Sequence, residues 1–238
     1  MEIKTFKNPE ATAKAFADYL CEKQLQVNRL NIALSGGSTP KLLFEVLAQK
    51  YLDKIEWTKF HFYWGDERCV LTTSGESNFG MTYEYLFQHI EIPEENIHRV
   101  LGENNPEKEA TRYGKLITEN LPSINGLPQF DLVILGLGED GHTASIFPHQ
   151  MGLLTSKEVC AVAEHPTSGQ KRITLTGSVI NNAKEVCFVV VGEAKAEKVN
   201  EILNITGHCE LYPAAYIKPT HGELIWFLDK AASGKLEL

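Results

Sequence analysis

Nothing in this sequence invites its cysteines to pair. There are five, Cys21, Cys69, Cys160, Cys187 and Cys209, an odd number, widely spaced and with no Cys-x-x-Cys among them. A disulfide framework is therefore not expected. No apolar stretch approaches the roughly 18 residues that a membrane helix needs. The opening run Met1-Glu2-Ile3-Lys4-Thr5-Phe6-Lys7-Asn8-Pro9 has neither the apolar segment nor the small-residue cleavage site of a secretory signal. A reducing, cytoplasmic setting is the expectation. Positive charge is scarce too: 23 Lys and Arg stand against 31 Asp and Glu, a formal net charge of −8, with no basic run. That balance argues against nucleic acid or an acidic membrane as partner. An anionic ligand would have to be held by a few local donors.

The chain also has no internal repeat, no low-complexity tract and no stretch long enough to read as a linker, so its 238 residues are expected to form one domain. Short apolar runs recur at Leu30–Leu34, Phe60–Trp64, Leu132–Leu135 and Val186–Val191. Their near-continuous apolarity suits strands covered on both faces. Helical spacing fills the intervals: from Pro9 to about Leu25 behind the Asn8-Pro9 start signal, from Pro40 to Leu52 after Thr39, from Pro106 to Asn120, and from Ala194 to Leu203. The stretches 72–77, 103–106, 122–128 and 165–170 read as loops. Alternating strands and helices predict an α/β fold with a mainly parallel sheet and helices on both faces, onto which the more mixed late part of the chain is expected to pack.

Three segments at strand ends carry the chemistry. Ser35-Gly36-Gly37-Ser38-Thr39-Pro40 follows an apolar strand and opens a helix. Its glycines expose backbone N–H groups, its hydroxyls add donors and the helix start contributes partial positive charge, a combination suited to phosphate. This turn is neither a Gly-x-Gly-x-x-Gly fingerprint nor a P-loop, and it would also serve as a plain hydroxyl-capped turn. Trp64-Gly65-Asp66-Glu67-Arg68 places two carboxylates and a guanidinium at the carboxyl end of the next strand, where open α/β sheets bind ligands. A solvated turn with a local ion pair is the simpler alternative. The third segment runs from Phe130 to Pro148 and presents Gly136, Gly138 and Gly141, then Asp140 and His142 two residues apart. Such an imidazole can take or give a proton near neutral pH.

Together with Ser77-Asn78-Phe79-Gly80, these motifs make the chain resemble the 6-phosphogluconolactonase family within the wider glucosamine-6-phosphate isomerase group. The resemblance runs from about residue 9 to 232 and includes Arg172-Ile173-Thr174-Leu175-Thr176, Gly192-Glu193-Ala194-Lys195-Ala196 and the segment from Pro213 to Asp229. It implies a Rossmann-like, doubly wound sheet of the glucosamine-6-phosphate isomerase type. It also implies hydrolysis of a phosphorylated sugar lactone in the oxidative pentose phosphate pathway. His142 would be base and later acid, with Asp140 or Asp66 orienting it or binding sugar hydroxyls. The phosphate would lie on Gly36, Gly37, Ser38 and Thr39, with Lys195 and Arg68 as charge partners and Arg172 as a further one.

The deaminase-isomerase branch of the group typically continues Asp-Gly-His-Ile-Ala-Phe-Asn-Glu-Pro. Here the glutamate position holds Phe147, which cannot ionise, so the Thr-Ala-Ser-Ile-Phe-Pro ending resembles the lactonase branch instead. A sugar-phosphate isomerase or deaminase is the second reading. A sensor without turnover is the third, disfavoured by the intact Asp140-Gly141-His142 and by the absence of a DNA-binding segment ahead of the motifs. No cofactor or metal is expected, because no Glu-x-x-His or His-x-x-x-His pair accompanies His142. A serine hydrolase is not expected either, since Gly-x-Ser-x-Gly is absent. Oligomeric state leaves no trace in the sequence.

Overall fold

The computed structural model describes residues 1–236. In chain order the elements are β1 (Glu2–Phe6), α1 (Pro9–Gln24), β2 (Leu30–Leu34), α2 (Ser38–Lys50), β3 (Phe60–Trp64), β4 (Asp66–Arg68), α3 (Asn78–Tyr85), α4 (Pro106–Asn120), β5 (Ser123–Ile124), β6 (Leu127–Pro128), β7 (Leu132–Leu135), β8 (Cys160–Glu164), β9 (Lys171–Leu175), α5 (Gly177–Ile180), β10 (Glu185–Val190), α6 (Ala196–Asn204) and β11 (Glu223–Asp229). Six strands form one sheet in the order β1-β11-β10-β7-β2-β3, every neighbouring pair parallel.

Local chemistry explains the main elements. Asn8 caps α1 by accepting from the Ala11 N–H at 2.9 Å, Pro9 occupies the first turn, and Ala13, Phe16, Ala17 and Leu20 recur at helical spacing on its buried side. Every residue of β2 and β7 is buried, as both faces of the sheet are covered. Successive side chains of β11 show this directly, since they point to opposite faces. Phe227 meets Phe16 of α1 edge-to-face at 5.0 Å, whereas Trp226 stacks on its cross-strand partner Phe188 at 4.1 Å, beside Ile202 and Leu203 of α6.

The strand order places the ligand edge. After β2 the chain moves outward to β3; after β7 it returns to the sheet on the other side, at β10. The carboxyl ends of β2 and β7 therefore bound a crevice at a topological switch point, where open α/β sheets hold ligands. Beside it stands a second, antiparallel sheet, β4-β9-β8, which pairs Asp66 with Thr174, Glu67 with Ile173 and Arg68 with Arg172.

Several expected boundaries move. Helix α2 starts at Ser38, two residues before Pro40, because the Lys41 N–H already bonds the Gly37 carbonyl at 3.1 Å and brings Ser38 and Thr39 into the first turn. A short 3-10 turn, Glu193–Lys195, precedes α6. The late part of the chain divides: β10 and β11 complete the parallel sheet, but Cys160–Glu164 and Lys171–Leu175 form a hairpin of the antiparallel one. Among the described residues all five cysteines are unpaired, and no helix is long and apolar enough to cross a membrane.

Candidate active site

All three sequence segments converge on one open cleft at the carboxyl edge of the parallel sheet. Its lining includes Gly36, Gly37, Ser38 and Thr39 after β2, Asp66 and Arg68 after β3, Gly136, Gly138 and His142 after β7, Arg172 on β9 and Lys195 after β10. Asp140 reaches the site through His142. The ten residues singled out by sequence therefore meet in one place.

His142 is held by a tight backbone turn. The Gly138 N–H bonds the His142 carbonyl at 2.8 Å and the Gly141 N–H bonds the Gly138 carbonyl at 3.1 Å. Gly138 is required by close approach, since a Cβ there would lie 2.1 Å from His142 Nδ1. Asp140 Oδ1 lies 2.6 Å from that same Nδ1 and also accepts the His142 backbone N–H at 3.1 Å. Burial works to raise the Asp140 carboxyl, but its bonds to His142 and the neighbouring charge outweigh that and bring it down to about 2. A carboxylate can only accept, so the shared proton belongs to Nδ1 and the lone pair of the neutral ring sits on Nε2. Nε2 has no protein partner among the described residues, while the fully buried Phe147 packs against the ring at 4.7 Å. Of the two aspartates proposed to orient the imidazole, Asp140 makes the bond.

Asp66 and Glu67, adjacent in β4, point opposite ways and do different work. Glu67 faces inward and caps α3: its carboxylate accepts the N–H groups of Asn78 and Phe79 at 2.8 and 2.7 Å. Asp66 is 5% exposed and lines the cleft. Its Oδ2 accepts from the Ser145 hydroxyl at 2.6 Å, and its Oδ1 has no protein partner among the described residues. The two carboxylates of the motif thus separate into one structural group and one that faces the cleft.

The same cleft also gathers cations. Arg68 and Arg172 are direct cross-strand partners, an arrangement that like charges disfavour unless an anion lies between them. Arg68 is tethered by its Nη1 to the Glu76 carbonyl at 2.6 Å. Burial pulls Arg172 below the ordinary guanidinium value; Asp66 opposes this and Arg68 adds to it. Lys195 approaches only Glu139, at 4.0 Å. The start of α2 lines the same cleft. Gly36 admits the Asn78 side chain there, as a Cβ would meet Asn78 Oδ1 at 1.8 Å. The first-turn amides of Ser38 and Thr39 supply further anion-binding donors.

Sequence reasoning overlooked Ser145 and assigned no role to Asn78. Ser145 reads as a small residue in a core-like run, and only its place three residues beyond His142 marks it. Among the described residues no three His, Cys, Asp or Glu side chains cluster in a way that could hold a metal ion.

Known proteins resemble this chain over nearly its whole length. The family described as glucosamine-6-phosphate isomerases/6-phosphogluconolactonase matches residues 7–226. The 6-phosphogluconolactonase of Haemophilus influenzae is 45% identical over 226 residues, covering 93% of this chain and 95% of that protein. Among solved structures, the devB protein superposes with a TM-score of 0.94 at 43% identity over 99% of both chains. The 6-phosphogluconolactonase of Trypanosoma brucei gives a TM-score of 0.85 at 30% identity, covering 99% of this chain and 98% of that one.

Proposed function

Because the chain belongs to the glucosamine-6-phosphate isomerase/6-phosphogluconolactonase family, we propose that it is a 6-phosphogluconolactonase, hydrolysing 6-phosphoglucono-δ-lactone to 6-phosphogluconate in the oxidative pentose phosphate pathway. One observation carries the reading: an imidazole fixed by an ionised carboxylate shares one cleft with two arginines and a lysine. The first half of that arrangement suits proton transfer to and from water. The second suits a phosphate monoester, whose charge is about −1.5 to −2 at neutral pH.

The reaction follows from the donor set. A lactone carbonyl is already electrophilic, so a positioned water and a base suffice to start the reaction. Nε2 of His142 takes a proton from water as the water oxygen bonds to the carbonyl carbon. The carbonyl pair moves onto its oxygen, and Asp140 stabilises the imidazolium that forms. When the oxyanion collapses, the bond between that carbon and the ring oxygen breaks. The imidazolium returns its proton to the departing oxygen, leaving an acid and an alcohol on one open chain. Backbone N–H groups of the glycine-rich turns serve the oxyanion. Arg68, Arg172, Lys195 and the start of α2 hold the phosphate, and Oδ1 of Asp66 accepts a sugar hydroxyl.

The phenyl ring of Phe147 supports this reading over an isomerase. It lies against His142 where the isomerase branch carries a glutamate, so the imidazole has an apolar neighbour there and Asp140 as its carboxylate. No step requires a metal. The test is turnover of freshly generated 6-phosphoglucono-δ-lactone with a chelator present, read against the buffer blank because the lactone also opens unaided. Acceleration that resists the chelator is expected; a rate equal to the blank would refute the function.

A further inference from the structure

Asp66 and Arg172 stand diagonally across the β4–β9 pair, since Asp66 is opposite Thr174 and Arg172 is opposite Arg68. Diagonal neighbours on one pair of strands are within reach of long side chains. A carboxylate and a guanidinium so placed would ordinarily form a bidentate ion pair. Here they do not meet directly. The Ser145 hydroxyl lies between them, donating to Asp66 Oδ2 at 2.6 Å, while Arg172 Nη1 makes a long contact of 3.5 Å to Ser145 Oγ. Ser145 is fully buried, and its own backbone N–H is fixed on Thr174 Oγ1 at 3.1 Å. A hydroxyl has one proton to give and two lone pairs to offer, so it can serve both neighbours at once.

We propose that Ser145 is a positioning residue that keeps Asp66 and Arg172 from neutralising each other, so that Arg172 stays available to the substrate phosphate and Asp66 to a sugar hydroxyl. This rests on the lactonase reading and adds a specificity device to the same cleft. Without the hydroxyl, Asp66 Oδ2 loses its donor and Arg172, bonded to the same hydroxyl, is the charged group at hand to replace it. The closed pair would withdraw one cation from the phosphate and one acceptor from the sugar. Asp66→Asn removes the charge that would capture Arg172, so the effect of losing Ser145 should depend on what stands at position 66.

The experiment is a double-mutant cycle read by calorimetric binding of 6-phosphogluconate to wild type, S145A, D66N and the double variant, with turnover of the lactone recorded alongside. S145A is expected to weaken binding about tenfold in the wild-type background but less than about twofold in the D66N background, the non-additivity that contacting residues show. S145C, which keeps a group on Cβ but whose thiol is a poor donor, is expected to behave like S145A and stands in for it if S145A does not fold. Equal losses in both backgrounds, or no loss in either, would overturn the role of Ser145 while leaving the function intact, provided that wild type binds the acid and hydrolyses the lactone. A wild type that does neither would overturn the functional reading, and this proposal with it.

Discussion

The pairing of His142 with Asp140 sets what each side chain can do. Asp140 is ionised down to about pH 2, so it stays an anionic acceptor for the imidazole over the working range. Replacing Asp140 by Asn keeps the shape and removes the charge. The imidazolium then loses its anionic neighbour, so the acid limb of the kcat/KM profile should move to lower pH while kcat falls by at least about tenfold. A pH-rate series on D140N checks both; an unshifted limb would mean that the carboxylate does not act on His142. Lys195 makes no ion pair closer than 4.0 Å among the described residues, and its ammonium is proposed to meet the phosphate. K195A should raise KM and leave kcat largely unchanged, the signature of lost uniform binding, and steady-state kinetics separate the two. At this scale the sequence was most legible where residue type and a strand end together suggest chemistry, as for His142 and Arg68, which both line the cleft; Lys195 was marked only by the family resemblance. It was least legible where chemistry depends on a neighbour brought from elsewhere. Ser145 matters only because Asp66 lies 79 positions away in sequence and one hydrogen bond away in space.

Among elements, the loops that follow β2, β3, β7 and β10 carry the site and the strands carry the loops. The turn from Gly138 to His142 tolerates little added volume. G138A should fold, yet its methyl would displace the imidazole and lower kcat by about 10²-fold, the scale expected of an ångström-sized misplacement. Circular dichroism with kinetics distinguishes that outcome from unfolding. A different sensitivity lies beside β3. His98 stacks on Tyr63 at 4.4 Å and meets His61 Nδ1 with its Nε2 at 3.2 Å. Burial, then His61 and Arg29, push His98 down from 6.5 to about 4. The unfolded chain therefore binds a proton that the folded chain refuses between those values. Stability from this group is present above pH 6.5 and lost as pH falls through 4. A thermal-melt series should show a shallower fall of Tm over that window for H98F than for wild type. The buried strands β2, β3 and β7 could be read from their apolar runs. The antiparallel sheet could not, because β4 has only three residues and Asp66, Glu67 and Arg68 carry no strand pattern.

Over the whole molecule, the site is a product of strand order. Ser35 and Gly136 lie about 100 positions apart in sequence. They meet because β2 and β7 are neighbours whose chains leave in opposite directions. Periodicity gives strands but not their order, so the convergence of the motifs was legible only through the family resemblance. A net charge of −8 would repel an anionic substrate at long range. The cleft gathers Arg68, Arg172, Lys195 and the start of α2 locally, the groups proposed to hold the substrate phosphate. The most direct measurement compares wild type with H142A on freshly generated 6-phosphoglucono-δ-lactone, chelator present, with the blank subtracted. We expect wild type to accelerate ring opening and H142A to lose about 10²–10⁴-fold of that acceleration. An H142A variant as fast as wild type would contradict the assignment of His142 as the base.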